Sequence, residues 1–447
     1  MTSTESTMPT AAPAPAGNFA STSPTGTPAS AASVRTPTSA GNPVLADTPT
    51  STGAPAPCGV TAPRGFTASG VAAGIKHTEG ALDLALVVNE GPVFASAGVF
   101  TSNRVVAAPV TLTRSHLASA NLKAIILNSG GANACTGQAG FHDAQASAQH
   151  LAPLLGCEVK EIGVCSTGMI GQRLPMDKIF HGTDAAVAAL ASTPEAGARA
   201  ADAIRTTDTV PKTYEFSSQE GWKIGAMAKG AGMLAPGLAT MLCVITSDAI
   251  LDDEMAAAAL SEAVRTTFNR TDSDGCMSTN DSVILLASGA SGVAPSEEDF
   301  TEALRSACAN LARQLLADAE GASHDIEITV AHASDEAAGE AVARAVSRSN
   351  LFKTAVFGND PNWGRILSEV GTVPESVAPF DPEQIDVSIN GVMVCRNGAV
   401  GEDRSLVDMT PREVQVLIDL KAGEENVVLW TNDLTHEYVH ENSAYSS

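Results

Sequence analysis

The segment that most constrains this chain is Lys229-Gly-Ala-Gly-Met-Leu-Ala-Pro-Gly-Leu-Ala-Thr240-Met-Leu-Cys-Val-Ile-Thr246, where a loop of small residues delivers a threonine to the start of an apolar run. Gly230, Gly232, Pro236 and Gly237 permit a tight backbone, and Leu242 to Ile245 supply the buried β-branched run that would hold Thr240 rigidly. Such a chain could cut itself. Attack of the Thr240 hydroxyl on the Ala239 carbonyl, followed by hydrolysis of the ester, would free the α-amine of Thr240. That amine, with an unperturbed pKa of about 7.7–8.0, would then serve as the base for its own hydroxyl. β-Branched residues also commonly follow glycine-rich turns, so spacing alone leaves a plain strand start open.

The 447 residues suffice for a large core in one or two domains. A net charge of −24 opposes binding to phosphate backbones and anionic lipid surfaces, so neither nucleic acid nor membrane is expected as a partner. Eight scattered cysteines without a C-x-x-C pair read as buried thiols of a reducing compartment. Residues 1–57 hold ten of the 24 prolines and only three charges, Glu5, Arg35 and Asp47, and are expected to stay disordered. They have neither the basic start and apolar core of a secretory signal nor the several arginines of a mitochondrial presequence, so a cytoplasmic location is expected. The best membrane-spanning candidate outside that tail, residues 230–247, is broken by Pro236 and three glycines.

From about Cys58 the pattern alternates strands and helices. Strands are expected at 82–88, 93–100, 110–113, 124–127, 241–246, 282–287 and 325–331, and helices at 142–155, 184–205, 250–269 and 296–319. A strand-rich unit is expected from Thr354 through 385–389 and 392–396, then a helix at 411–420 and a strand at 427–430. The fold class is therefore a mixed α/β or α+β protein with layered sheets.

Three further motifs carry candidate chemistry. Asn128-Ser-Gly-Gly-Ala-Asn-Ala-Cys-Thr-Gly137 follows an apolar strand but matches neither G-x-G-x-x-G nor a P-loop, so it reads as a glycine-rich active-site turn or an ordinary loop. Cys165-Ser-Thr-Gly-Met-Ile-Gly171 sets a hydroxyl beside a flexible backbone amide, the pairing an oxyanion hole needs. His436-Glu-Tyr-Val-His440 satisfies H-E-x-x-H, but it follows a strand and only seven residues remain to supply a third ligand, so no metal is expected.

The order of these loops, with Ser166-Thr-Gly-Met-Ile-Gly-Gln-Arg-Leu-Pro175, Thr206-Thr-Asp-Thr-Val-Pro-Lys212, Asp274-Gly-Cys-Met-Ser-Thr-Asn-Asp281, Ala319-Glu-Gly-Ala322, Phe357-Gly-Asn-Asp-Pro-Asn-Trp-Gly-Arg365 and the tail from Thr431, closely resembles the ornithine acetyltransferase (glutamate N-acetyltransferase) family of arginine biosynthesis. The resemblance runs from about Gly59 to Ser447. It implies a layered αββα-type core with a second α/β domain, self-cleaved between Ala239 and Thr240 into an alpha chain (58–239, after the tail 1–57) and a beta chain (240–447), usually assembled as α2β2. It further implies that Thr240 takes the acetyl group of N-acetylornithine and passes it to glutamate. Thr167 and Gly168 match the oxyanion-hole pair, and Thr206, Lys229, Thr240, Glu320, Asn442 and Ser447 match the substrate-binding residues. No cofactor is implied, with acetyl-CoA as an alternative acetyl donor in bifunctional members.

Residue chemistry suits those roles: the α-carboxylates of donor and acceptor match Lys229, and ornithine's ammonium matches Glu320. Ser323-His324 stands where the family often has threonine and lysine, and Ser247 where threonine is common. A related self-cleaving aminopeptidase would let water reach the acyl-enzyme, but such relatives use serine. An unprocessed binding protein would remain a single intact chain.

Overall fold

A computed structural model of the chain describes residues 58–234 and 241–444. The expected tail 1–57, the cleavage pair Ala239 and Thr240, and Ser447 lie outside the described residues. In chain order the elements are β1 (Phe66–Val71), β2 (Leu84–Asn89), β3 (Ala95–Phe100), α1 (Ala108–Leu117), β4 (Ala124–Ser129), α2 (Gly137–Leu155), β5 (Ile162–Thr167), α3 (Met176–Ala188), α4 (Pro194–Ala203), β6 (Lys212–Ser217), β7 (Lys223–Lys229) and β8 (Leu242–Ser247). They continue with α5 (Asp253–Arg265), β9 (Ser282–Ala287), α6 (Glu297–Ala317), β10 (Asp325–Ala333), α7 (Glu336–Ser347), α8 (Asn350–Phe357), α9 (Trp363–Val370), β11 (Asp386–Ile389), β12 (Val392–Arg396), β13 (Ala399–Val400), β14 (Glu413–Asp419), β15 (Glu425–Asn432) and α10 (His436–Ala444).

Strand alternation explains the layers, because successive side chains leave opposite faces of a sheet. In the sheet β1-β2-β4-β5, Leu84, Leu86 and Ile126 pack with Ala144, Ala148 and Leu151 of α2, while Ala85, Val87, Ile125 and Leu127 face the other way. There they meet Met227, Leu242, Val244, Ile284 and Leu286 of the sheet β3-β9-β8-β7-β6. The intervening residues Cys243, Ile245, Val283 and Leu285 pack on α5 and α6. The order is helices, sheet, sheet, helices: an αββα core. Both covering helices start on side-chain caps, Asp252 accepting from Met255 N–H at 2.8 Å and Ser296 from Asp299 N–H at 3.1 Å.

A third sheet, β13-β12-β11-β14-β10-β15, has its own core with α7, α8 and α9. The fold class expected from sequence is the one observed, second α/β unit included. The chain on either side of residues 239 and 240 contributes to one sheet. The sheet on one side of the αββα core takes β3, β6 and β7 from before that point and β8 and β9 from after it.

Several local expectations are corrected. Residues 110–113 lie in α1, where Pro109 pre-sets the first turn and Val110, Thr113 and His116 are buried at helical spacing. The expected helix at 411–420 is the strand β14: Val414, Val416 and Ile418 alternate inward, parallel to β10 and antiparallel to β11. The expected helix 184–205 is two, because the chain leaves α3 to pair Ala191 with Ala68 before Thr193 caps α4. Thr354 belongs to α8, capped by Ser349, and α7 to α9 occupy a stretch expected to be rich in strands. No helix among the described residues is long and apolar enough to cross a membrane.

Candidate active site

β5 delivers Thr167 and Gly168 to the rim of the sheet. Gly168 has a φ of +126°, and a Cβ there would meet Gly131 N at 2.6 Å and Gly130 C at 2.7 Å, so the position requires glycine. The two glycine-rich loops that the sequence presents separately are therefore one packed unit. Gly131 N–H donates to Thr167 O at 3.0 Å, Asn128 Nδ2 to Gly131 O at 3.0 Å, and Ser166 Oγ to Asn128 Oδ1 at 2.6 Å.

A residue that sequence reasoning did not single out fastens both loops. Asn280 Nδ2 donates to Ala132 O at 2.6 Å and to Ser166 O at 2.9 Å from a buried position just before β9. The only sequence signal was its place within the quoted segment ending at Asp281.

β7 ends at Lys229, which pairs in register with Leu242 at the start of β8. Its buried Nζ donates to Thr206 Oγ1 at 2.7 Å and, more weakly, to Thr167 Oγ1 at 3.5 Å. Asp208, also buried, lies 3.8 Å from Lys229 Nζ and 2.6 Å from Lys212 Nζ. It also accepts from Thr206 N–H at 3.0 Å and Gly230 N–H at 2.6 Å. Burial alone would raise the Asp208 carboxyl, but Lys229, Lys212 and these hydrogen bonds override it and hold it well below the usual range. Burial lowers the Lys229 ammonium from its ordinary value, partly offset by Asp208.

Glu320 and Asn442 come from distant chain and meet at 2.9 Å, Asn442 Nδ2 donating to Glu320 Oε2. Gly232 makes room for this carboxylate: a Cβ there would come within 2.5 Å of Glu320 Oε2. The C-terminal helix docks beside it, since a Cβ at Gly321 (φ +63°) would strike Tyr438 N at 2.2 Å, while Thr435 Oγ1 both accepts from Tyr438 N–H and donates to Gly321 O. The unusual Ser323-His324 pair shares that task. Both residues' N–H groups donate to Asp433 Oδ1, at 2.9 and 3.0 Å.

Thr167, Gly168, Thr206, Lys229, Glu320 and Asn442 thus line one open cleft. The described residues flanking 235–240 are held to one segment. Leu234 O accepts from Ser273 N–H at 2.6 Å, and Met233 N–H donates to Asp274 Oδ2 at 2.6 Å. On the far side, Met241 N–H donates to Asp281 Oδ1 at 3.0 Å.

The H-E-x-x-H residues form a helix, α10. His436 lies edge-on to Phe357 with centroids 5.4 Å apart, and the exposed His440 faces Glu437 at 4.0 Å. Among the described residues no group of three or more His, Cys, Asp or Glu side chains is arranged to hold a metal ion.

The ArgJ family model matches residues 67–447, most of the chain. The chain belongs to the ArgJ family. It is 57% identical over 389 residues to the arginine biosynthesis bifunctional protein ArgJ of Bifidobacterium longum, covering 87% of this chain and 100% of the relative. The ArgJ of Streptomyces avermitilis, with the same full name, is 58% identical over 388 residues, again 87% of this chain and 100% of the relative. Among solved structures, a chain of the ornithine acetyltransferase of Mycobacterium tuberculosis complexed with ornithine is 56% identical. It covers 40% of this chain and 94% of that chain, with a TM-score of 0.39.

Proposed function

We propose that this ArgJ-family chain is an acyltransferase of arginine biosynthesis that moves an acetyl group from N-acetylornithine to glutamate. It would first cleave itself between Ala239 and Thr240. The observation that carries this reading is the gathering of Thr167, Gly168, Thr206, Lys229, Glu320 and Asn442 around one cleft, beside the flanks of the segment holding Thr240. A cation and a carboxylate in one cleft suit substrates that carry both an α-carboxylate and an ammonium.

In this reading the freed amine of Thr240 takes its hydroxyl proton, and the alkoxide attacks the acetyl carbonyl of N-acetylornithine. The Thr167 hydroxyl and Gly168 N–H donate to the oxygen of the tetrahedral intermediate. Ornithine leaves with the proton, glutamate enters, and the acetyl ester on Thr240 is transferred to its amine. One acetyl-enzyme serving two substrates predicts ping-pong kinetics. The two fragments remain together because β7 and β8, on either side of the cut, are hydrogen-bonded neighbours in one sheet.

No cofactor or metal is required by these steps. Relatives bear the name "bifunctional", and in the second reading acetyl-CoA also serves as an acetyl donor. Cytoplasmic location accords with eight free cysteines, and an α2β2 assembly rests on the family resemblance. The test is a denaturing gel with N-terminal sequencing: two fragments, one beginning at Thr240, with Thr240→Ala uncut and inactive. Cleavage in Thr240→Ala would overturn the assignment. Glutamate acetylation with acetyl-CoA as sole donor separates the bifunctional from the recycling enzyme.

A further inference from the structure

Lys212 is fully buried and is not one of the residues lining the cleft, yet it joins two charged groups that are. It opens β6 opposite Ala228, the residue before Lys229, and its Nζ donates to Asp208 Oδ1 at 2.6 Å and to Asp318 Oδ2. On the first side, Asp208 lies 3.8 Å from Lys229 Nζ and accepts from the Gly230 and Thr206 N–H groups at 2.6 and 3.0 Å. On the second, Asp318 follows directly on α6 and stands two residues before Glu320. Thr209 N–H adds an exposed bond to Asp318 at 2.9 Å, and Lys212 is the buried part of that link.

These contacts close into a ring. Glu320 N–H donates to Ala231 O at 3.0 Å, two residues past Lys229, so the chain of contacts runs from Lys229 through Ala231 to Glu320 and Asp318, then across Lys212 to Asp208 and back to Lys229. Lys229 and Glu320, of opposite charge, both face the cleft from this ring. Their spacing is thus set by contacts made behind the cleft wall. A cation and a carboxylate held at fixed spacing select a ligand whose own charges match it, because a mismatched ligand leaves a desolvated charge badly paired.

We propose that Lys212 is a specificity-determining positioning residue: by holding Asp208 and Asp318 together it sets the separation of Lys229 and Glu320, and so the carboxylate-to-ammonium span required of the acetyl donor. The inference rests on the acetyl-transfer reading above, in which Lys229 meets the donor's α-carboxylate and Glu320 its ammonium. A side chain that never touches substrate then decides donor chain length.

The test measures acetyl transfer to glutamate from N-acetylornithine and from Nα-acetyllysine, whose ammonium stands one methylene further out, on one preparation of full-length enzyme. Wild type should favour N-acetylornithine by about 10–200-fold in kcat/KM, the usual worth of one methylene. Lys212→Met, similar in volume but uncharged, should lower that ratio by about tenfold through a raised KM for N-acetylornithine, bringing the two donors closer together. Lys212→Arg keeps a cation between the two carboxylates and should retain most of the preference. A ratio taken on one preparation cancels differences in the amount of folded enzyme, so general destabilisation does not move it. Should Lys212→Met fail to fold, Lys212→Met combined with Asp318→Asn leaves no buried carboxylate without a cation while the ring stays open, and the same fall is expected. A ratio unchanged by loss of the cation, or Lys212→Arg no better than Lys212→Met, would overturn the proposal and leave the acetyl-transfer reading standing. A wild type that moves no acetyl group from N-acetylornithine to glutamate would instead sink that reading, and the proposal with it.

Discussion

Lys229, which lines the cleft, and Asp208 face each other across 3.8 Å, both buried, and Asp208 is at the same time 2.6 Å from Lys212. One carboxylate thus compensates two buried cations, with Asp318 sharing the charge of Lys212.

Asp208→Asn is expected to destabilise the protein by about 3–5 kcal/mol, the range for removing one partner of a buried pair and leaving the other uncompensated. The folded-state carboxyl is depressed, so its stabilising contribution is present above the unfolded value of about 3.9 and is lost as pH falls toward the lower folded value. Denaturant unfolding at pH 7 should show the full deficit, and the gap between wild type and variant should narrow below pH 4. An unchanged midpoint at pH 7 would contradict this account of the pair.

Gly168→Ala should leave the chain folded but cut acetyl transfer by about 10²–10³, as loss of an oxyanion donor does. The added Cβ has no room beside the Gly130–Gly131 backbone, so the amide must turn or the loops must part. Steady-state kinetics should place the loss in kcat rather than KM. A loss confined to KM would remove Gly168 from the transition state.

Deleting residues 442–447 removes the Asn442 amide that donates to Glu320 at 2.9 Å. Docking of the rest of α10 through Thr435 and Gly321 survives the cut. Transfer should therefore fall through a raised KM while self-cleavage proceeds, and chelators should leave the full-length enzyme active. Full activity after truncation, or inactivation on chelation, would mean that the tail serves the site in another way.

Self-contained local chemistry was legible in the chain. Glycines packed against a backbone, apolar runs such as Ser282–Ala287, and helices with a long apolar stripe such as α6 depend on near neighbours, and the structure has them where the sequence put them. The ordered motifs likewise picked out six residues that line one cleft.

The segments 110–113 and 411–420 were not legible, because helix and strand can both bury their apolar residues and the choice falls to whatever packs on top. Val414, Val416 and Ile418 became a strand because β10 and β11 flank them, and Val110 entered a helix because Pro109 begins one there. Asn280 as the fastener of two loops more than a hundred residues away, and Asp281 as the acceptor of the Met241 N–H, exist only in three dimensions. The sequence determined which backbone could bend and which faces would seek burial. The tertiary structure decided which polar atoms meet, since a hydrogen bond depends on a few tenths of an ångström between segments whose separation along the chain carries no such information.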